Sequence, residues 1–417
     1  MSEPKYRPYQ RKPFDRERCT VCGECFHRCP VMHLPLEQAQ GEMARLLAGE
    51  SSPVLRTCTS CQACNLFCPE DCRPANLLLD RWHGAYQQHG LPARAAYFLP
   101  HARPNFRTDI LARLPDEERA AVDRWRQGGP AREFLFSGCN LITTPYLTFS
   151  RIFKGIEIRG GLDYCCGEML FRMGLYEALE QVARRLTLWF RRLEAERVYL
   201  VCTAGLNMLR NILPQFGADF SSIEFAPYQR VILDRLESGD LAGGPGGVRP
   251  LGMTITVQDS CHTRLVEPDF GDLPRRILDL IGVEVREAPH HGIEQLCCGI
   301  GGGFSHASAY HPVDLLLSAR ATSRDHRRQP ADATCVYCSG CLEMTSVARY
   351  ADPSRRPIYH LLELVQMAIG EVPQRRQGAL ARQFLVGTVH RQFPRLLSRE
   401  RFWLPDIPAE PDPAEAI

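Results

Sequence analysis

Two adjacent cysteines followed by a glycine-rich run are the residues of this sequence most suited to chemistry. Cys297 and Cys298 precede residues 299–303, which read Gly-Ile-Gly-Gly-Gly. Neighbouring thiolates are strong ligands for metals, and glycines let the backbone approach closely whatever those thiolates hold. A second pair, Cys165 and Cys166, is also followed by glycine. The sequence therefore predicts a redox-active metal module that occurs twice.

Each cysteine pair has further cysteines on both sides, and most of these follow a short apolar segment. Open α/β sheets place their sites at the carboxyl ends of strands, so these segments are predicted to be strands that deliver ligands. The flanking cysteines are Cys139 and Cys202 in the first copy, and Cys261, Cys335, Cys338 and Cys341 in the second. The predicted strands are 133–137, 197–201, 253–257 and 333–337.

Closer to the beginning of the chain, the pattern Cys-x2-Cys-x2-Cys-x3-Cys-Pro occurs twice. In this spacing the first three cysteines bind one [4Fe-4S] cluster, and the fourth reaches the other cluster. Zinc, which favours two pairs of ligands in a tetrahedron, does not suit such runs, and Cys72 is interpreted as a bystander. The first predicted cluster has the ligands Cys19, Cys22, Cys25 and Cys68, and the second has Cys29, Cys58, Cys61 and Cys64.

Composition excludes several classes of protein. The chain has 417 residues, of which 44% are hydrophobic and 24% charged, as in soluble globular proteins. A net charge of +2 gives no general attraction to nucleic acid or acidic lipid. Nineteen cysteines in metal-like groups, behind an N terminus with no apolar core, indicate a reducing cytoplasm. Apolar runs are too short to span a membrane, although a membrane-bound partner is compatible with this.

The predicted fold class combines α+β and α/β organisation. A helical ferredoxin-like domain with two [4Fe-4S] clusters precedes two pseudo-repeated α/β cysteine-rich domains, and the Gly/Pro-rich segment 241–250 separates the repeats. A basic amphipathic helix at 379–397 is interpreted as a packed terminal helix or as a surface for a partner or membrane. The predicted boundaries are 1–18 for an N-terminal arm, 19–95 for the ferredoxin-like domain, 96–132 for a connector, 133–245 and 251–369 for the repeats, and 370–417 for the tail.

Over about residues 19 to 365, this layout resembles the heterodisulfide reductase-related iron-sulfur proteins. It is most similar to the heterodisulfide reductase component that combines a ferredoxin domain with two such cysteine-rich repeats. The iron-sulfur subunits of glycolate oxidase and anaerobic glycerol-3-phosphate dehydrogenase are similar in architecture. The residues that carry the resemblance are Ser260-Cys261-His262, Cys297 to Gly303, Cys165-Cys166-Gly167-Glu168 and Cys338-Ser-Gly-Cys341.

The resemblance implies that a complete repeat holds a noncubane [4Fe-4S] cluster through five cysteines, and that such a cluster can cleave a disulfide. Cys261, Cys297 and Cys298 would then be ligands, with two more from three candidates. Spacing from Cys298 favours Cys335 with Cys338. The likeness between residues 338–344 and residues 202–208 favours Cys338 with Cys341 instead, and we prefer this pair.

The first repeat departs from the pattern, because Gly205 stands where its last cysteine is expected. This leaves open whether the repeat binds a smaller cluster or none. The four cysteines available for it are Cys139, Cys165, Cys166 and Cys202.

Two functions remain in competition at this stage, and a zinc-bound structural protein is a disfavoured third. The first is an electron-transfer subunit that relays electrons between the [4Fe-4S] pair, the cluster of the second repeat and a flavin- or metal-containing partner. The second is a disulfide reductase that acts at Cys297 and Cys298. No convincing nucleotide-binding fingerprint is present, so flavin is expected only on a partner chain, such as a flavoprotein subunit of the same complex. The chain is expected to be cytoplasmic, attached to the membrane only through a partner.

Several polar residues near the second repeat are weaker candidates for site roles. Histidines close to a reactive sulfur can donate protons or hydrogen bonds, although each alone is more often a surface residue. An arginine near the cysteines can attract an anionic substrate or tune the potential of a cluster. These candidates are His262, His290, His291, His306 and Arg264.

Overall fold

The protein is described from a computed structural model that covers residues 12–242, 247–267, 269–303 and 311–411. Most of the predicted N-terminal arm, part of the predicted boundary at 241–250, and His306 therefore lie outside the described residues. The described chain forms a helical N-terminal part followed by two parallel sheets.

The N-terminal part consists of helices joined by the cysteine-containing loops. The predicted helix in segment 34–52 is confirmed, and it buries one apolar side that includes Met43 and Leu46. The two shortest cysteine-bearing helices begin directly after the second cysteine of each cysteine run. The helices are α1 (Glu24–His27), α2 (Leu36–Leu47), α3 (Val54–Thr57), α4 (Ala63–Phe67) and α5 (Pro74–His89). After a short strand, β1 (Leu91–Pro92), come α6 (Phe106–Leu111) and α7 (Asp116–Gln127).

The first sheet contains four parallel strands in the order β3-β2-β4-β5. The predicted strands at 133–137 and 197–201 are its two central strands, as expected for the most apolar segments. The strands are β2 (Glu133–Phe136), β3 (Glu157–Arg159), β4 (Arg197–Leu200) and β5 (Glu224–Pro227). The helices of this part are α8 (Gly138–Leu141), α9 (Glu168–Arg172), α10 (Tyr176–Arg192), α11 (Thr203–Asn207) and α12 (Tyr228–Glu237).

The second sheet repeats this plan in the order β7-β6-β8-β9, again all parallel. Its central strands are the two that the sequence predicts at 253–257 and 333–337. The strands are β6 (Met253–Gln258), β7 (Val283–Val285), β8 (Ala333–Val336) and β9 (Ile358–His360). The helices are α13 (Asp272–Leu280), α14 (Ile300–Gly303), α15 (Pro312–Arg327), α16 (Ser339–Ala348) and α17 (Leu361–Ala368). The identical strand order means that the duplicated cysteine pattern is also a duplicated fold.

One predicted element is corrected. Segment 358–369 was expected to be a single apolar helix, but its first three residues form the edge strand β9, paired with β8. His360 ends the strand and caps α17: its ring nitrogen Nδ1 accepts the N–H of Leu362 at 3.2 Å. Glu363 in turn accepts the N–H of His360 at 2.7 Å. This reciprocal cap fixes the start of the helix three residues later than hydrophobicity alone suggests.

The C-terminal segment folds back over the N-terminal part. Helix α18 (Gln377–Gln392) packs against α16 and α6, and β10 (Arg401–Phe402) pairs with β1. The predicted helix at 379–397 is therefore shorter at its end, where Pro394 falls within a 3-10 turn. No helix within the described ranges is long and apolar enough to cross a membrane.

Candidate metal centres

The two N-terminal cysteine loops share an unusual backbone. Val21 and Ser60, two positions after the first cysteine of each run, have φ values of 57° and 50°. Gly23 and Gln62, which follow the second cysteine, have φ values of 80° and 60°. A β-branched residue such as Val21 is strained in this left-handed region, and such strain is concentrated at functional sites. Both runs thus turn their backbone in the same way around their thiols.

The first group of thiols surrounds a cavity of about 300 Å³. Burial and the neighbouring thiols raise the pKa of Cys25 well above its ordinary value. Cys72 lies at the edge, where its N–H donates to the sulfur of Cys68 at 3.3 Å. The thiols gathered here are those of the first predicted cluster, Cys19, Cys22, Cys25 and Cys68.

The second group lies beside the first, around a cavity of about 440 Å³ that Cys25 also lines. The N–H of Ser60 donates to the sulfur of Cys58 at 3.3 Å. Burial raises the pKa of Cys29 to about 11, and Cys61 adds to this rise. The gathered thiols, Cys29, Cys58, Cys61 and Cys64, are those of the second predicted cluster.

A third cavity, of about 550 Å³, lies where the cysteine-bearing ends of the two sheets face each other. The sequence did not predict that both repeats would contribute to one cavity. Nine cysteines line it, namely Cys139, Cys165, Cys166, Cys202, Cys261, Cys297, Cys298, Cys338 and Cys341.

Cys335 does not line this cavity, although sequence spacing made it a candidate. It lies within strand β8, fully buried, and its environment includes Glu363 and Arg275. Cys341, by contrast, is hydrogen-bonded to both Cys298 and Cys338. The geometry thus favours the pair that the internal repeat indicates.

The thiols of the third cavity form a nearly continuous chain across the two repeats. Cys202 of the first repeat is hydrogen-bonded to Cys338 of the second, and Cys261 is bonded to Cys297. Hydrogen bonds from Cys297 and Cys341 lower the pKa of Cys298 to about 6. Buried thiolates need a positive charge nearby, so this crowding suits a metal site better than a set of inert thiols.

Gly205 occupies the position in the first repeat that corresponds to Cys341. A Cβ atom at this position would lie 4.0 Å from the sulfur of Cys166 and 3.7 Å from the Cβ of Cys202. The missing fifth cysteine of the first repeat would therefore have pointed toward the same thiols.

A buried ionic network joins the third cavity to the second thiol group. The guanidinium of Arg172 pairs with Glu168 through Nε, and Glu168 also accepts from His262 at 2.9 Å. Burial opposes ionisation of Glu168, but Arg172 and His262 together lower its pKa to about 2. The other side of the guanidinium contacts the carbonyl oxygen of Thr59 at 2.8 Å and the sulfur of Cys261 at 3.2 Å. Sequence reasoning missed Arg172, because one arginine in an arginine-rich chain gives no signal.

The weaker candidates separate into two groups. His262 lines the third cavity, whereas His290 binds Asp325 at 2.9 Å and His291 contacts the carbonyl oxygen of Ala288 at 2.9 Å. Neither of these two lines the cavity. Arg264 does not line it either, so the idea that it attracts a substrate there is not supported.

The donor set fits clusters better than single ions. Within the described ranges, no group of three or more Cys, His, Asp or Glu residues is placed to hold one metal ion. A cluster separates its ligand sulfurs more widely, because iron and sulfide stand between them. All-thiol donor sets, N–H groups aimed at sulfur, and strained cysteine loops are compatible with [4Fe-4S] groups.

Comparison with known proteins identifies the duplicated part. Residues 135–210 and 255–345 match the model of the cysteine-rich domain family known as CCG. The chain thus contains two cysteine-rich domains of that family, one on each parallel sheet.

Three curated relatives are iron-sulfur or redox proteins by name. A probable membrane-anchored ferredoxin of Chromohalobacter salexigens is 23% identical over 76% of this chain and 49% of its own length. An EtfAB:quinone oxidoreductase of Syntrophomonas wolfei is 25% identical over 60% of this chain and 37% of its own. An uncharacterized iron-sulfur protein of Methanocaldococcus jannaschii is 25% identical over 78% of this chain and 66% of its own.

The chain thus spans less than two thirds of the length of each of these relatives. Together with the two CCG domains, they confirm the resemblance to the heterodisulfide reductase-related iron-sulfur proteins.

Proposed function

We propose that this chain is the iron-sulfur electron-transfer subunit of a heterodisulfide reductase-like oxidoreductase complex. Two [4Fe-4S] groups are bound by the N-terminal thiols, and one noncubane [4Fe-4S] group is bound by Cys261, Cys297, Cys298, Cys338 and Cys341. These groups supply one-electron chemistry at potentials that the surrounding protein adjusts.

The observation that carries this proposal is the continuity of the three thiol groups. Cys25 lines both N-terminal cavities, and Arg172 contacts Thr59, in the second cysteine run, as well as Cys261. Groups held this close suit a relay, because each has a neighbour to exchange electrons with. The cysteines of the first repeat face the same cavity as the proposed noncubane site, but lack a fifth thiol at Gly205.

The partners are redox proteins. The relatives named as a membrane-anchored ferredoxin and an EtfAB:quinone oxidoreductase support electron exchange with other redox chains or domains. We propose that flavin resides on such a partner, and that the chain works in the cytoplasm, attached to the inner face of the membrane through a partner.

A second function is favoured by one observation, the cavity of about 550 Å³ beside Cys297 and Cys298. A disulfide substrate needs such a space next to the metal site. In this candidate function the chain itself reduces a disulfide, accepting two electrons in two one-electron steps through the N-terminal pair.

The deciding experiment is anaerobic EPR with iron and sulfide analysis, with and without an added small disulfide. Wild type is compared with a Cys297→Ser, Cys298→Ser double variant and with Cys335→Ser, a buried cysteine outside the cavity. The relay predicts about twelve irons per wild-type chain and a spectrum that the disulfide leaves unchanged. The double variant should lose about four irons, whereas Cys335→Ser should keep them all.

The other outcomes are equally informative. A disulfide-induced paramagnetic signal, absent from the double variant, would establish the disulfide reductase instead. About eight irons in wild type would leave the second repeat without its cluster. Zinc in place of iron would refute both functions.

A further inference from the structure

Two buried arginines adjoin the second N-terminal thiol group, defined by Cys29, Cys58, Cys61 and Cys64 and called site 2 below. Arg172 and Arg264 are each 2% exposed. Both come from the cysteine-rich domains and not from the part of the chain that supplies the thiols. The group of Cys19, Cys22, Cys25 and Cys68 is called site 1.

Arg172 reaches site 2 through its cysteine loop. Its Nη1 donates to the carbonyl oxygen of Thr59 at 2.8 Å and to the hydroxyl of Ser60 at 3.4 Å, both between Cys58 and Cys61. Its charge also lowers the pKa of Cys58, against the larger effect of burial. Gly301 closes the space around the guanidinium, since a Cβ there would clash with Arg172 and lie 3.0 Å from the oxygen of Thr59.

Arg264 reaches site 2 from the second cysteine-rich domain. Its Nη2 donates to the carbonyl oxygen of Gln295 at 2.5 Å, and its charge favours the thiolate of Cys29. Nε and Nη1 of Arg264 are buried and have no hydrogen-bond partner among the described residues. A buried guanidinium with two unsatisfied nitrogens is costly, unless an acceptor of negative charge adjoins it. Thiolate-bound iron-sulfur groups are such acceptors.

Site 1 has a different electrostatic environment. The N–H of Asp15 donates to the carbonyl oxygen of Cys72 at 3.0 Å, and the charge of Asp15 acts on the Cys72 thiol beside Cys68. Reduction adds an electron, so a nearby cation favours it and a nearby carboxylate disfavours it. The two sites are therefore surrounded by charges of opposite effect.

We propose that Arg172 and Arg264 make site 2 more easily reduced than site 1, so that electrons within the N-terminal pair collect beside the cysteine-rich cavity. Glu168 offsets part of the charge of Arg172, so Arg264 contributes more. The inference rests on the proposed cluster binding, and adds an order of potentials inside the chain. Both arginines act through the charge at site 2 and touch no substrate.

The test is EPR-monitored redox titration of the anaerobically loaded full chain. Arg264→Gln and Arg172→Gln should each lower the midpoint potential of site 2, with the larger effect from Arg264→Gln. For Arg264→Gln we expect at least a tenfold change in the reduction equilibrium, about 59 mV for a one-electron couple. Arg264→Lys, which keeps the charge, should retain most of the wild-type potential.

Arg107→Gln is the matched control. Arg107 is also a buried arginine beside a cysteine, with its Nε donating to the carbonyl oxygen of Cys139 at 3.0 Å. It belongs to the environment of the first repeat, so its loss should leave the potentials of both N-terminal sites unchanged. An equal shift in this control would overturn the inference.

A Cys22→Ser variant keeps the question decidable if the glutamine variants fail to load iron. This change perturbs the spectrum of site 1 only, and so tells which wild-type midpoint belongs to which site. The inference requires that the unperturbed site is reduced first. Site 1 reduced first, or iron-loaded glutamine variants with unshifted potentials, would overturn it and leave the proposed function intact. A wild-type chain that binds no iron would overturn both.

Discussion

At the residue scale, the account depends on which cysteines share a cavity. Spacing predicted both N-terminal groups completely, because each ligand of such a cluster lies within a short local run or directly before a proline. The choice between Cys335 and Cys341 could not be settled by spacing. In the structure Cys335 lies in the middle of β8, while Cys341 lies one turn into α16, where its side chain reaches Cys298.

Gly205 offers a test at the same scale. It lies in α11 where a Cβ would be 4.0 Å from the sulfur of Cys166, with Leu200 at 3.3 Å as its closest neighbour. A cysteine here would complete the thiol set of the first repeat in the manner of Cys341. Gly205→Cys is therefore expected to bind more iron per chain than Gly205→Ser, as measured by iron analysis after anaerobic reconstitution. Equal iron in the two variants would show that the first repeat is not a cluster site awaiting one ligand.

At the element scale, the sequence predicted the central strands and the long helices of both sheets. These elements carry strong apolar patterns, as β8 does with four buried residues in succession. The edge strands β3, β5 and β7 were not predicted. They are three or four residues long, and each carries a glutamate, so their pairing depends on the neighbouring strand and not on their own pattern.

Packing between elements depends on close backbone approach at Gly174, in the turn before α10. Its φ is 71°, and a Cβ would lie 2.5 Å from the carbonyl oxygen of Leu79 and 2.9 Å from the nitrogen of His83, both in α5. Gly174→Ala should therefore destabilise the protein by about 2–4 kcal/mol, through backbone strain and steric clash together. Thermal unfolding or denaturant titration measures this effect.

Gly217→Ala is the control for strain alone. Gly217 has a φ of 90°, and a Cβ there would meet nothing within 4 Å. It should cost only about 1 kcal/mol. If the two variants lose equal stability, the contact between α5 and the first repeat does not hold the N-terminal helices in place.

At the scale of the whole molecule, the arrangement of the three thiol groups is what the sequence could least predict. The two repeats face each other so that Cys202 and Cys338 meet, and Arg172 of the first repeat contacts both Thr59 and Cys261. These contacts join residues far apart in the chain, and no local pattern encodes them. Duplication indicated two equivalent sites, whereas packing merges them into one cavity.

The most direct test of the central claim is the iron and sulfide content of the N-terminal pair. Cys61→Ala removes a proposed ligand of site 2, and Cys72→Ala removes a buried cysteine beside site 1 that is not a proposed ligand. Each variant is reconstituted anaerobically and compared with wild type by iron analysis and by EPR of the reduced protein. The account predicts that Cys61→Ala loses about four irons per chain and that Cys72→Ala loses none. Equal iron in Cys61→Ala and wild type, or an equal loss in Cys72→Ala, would contradict it.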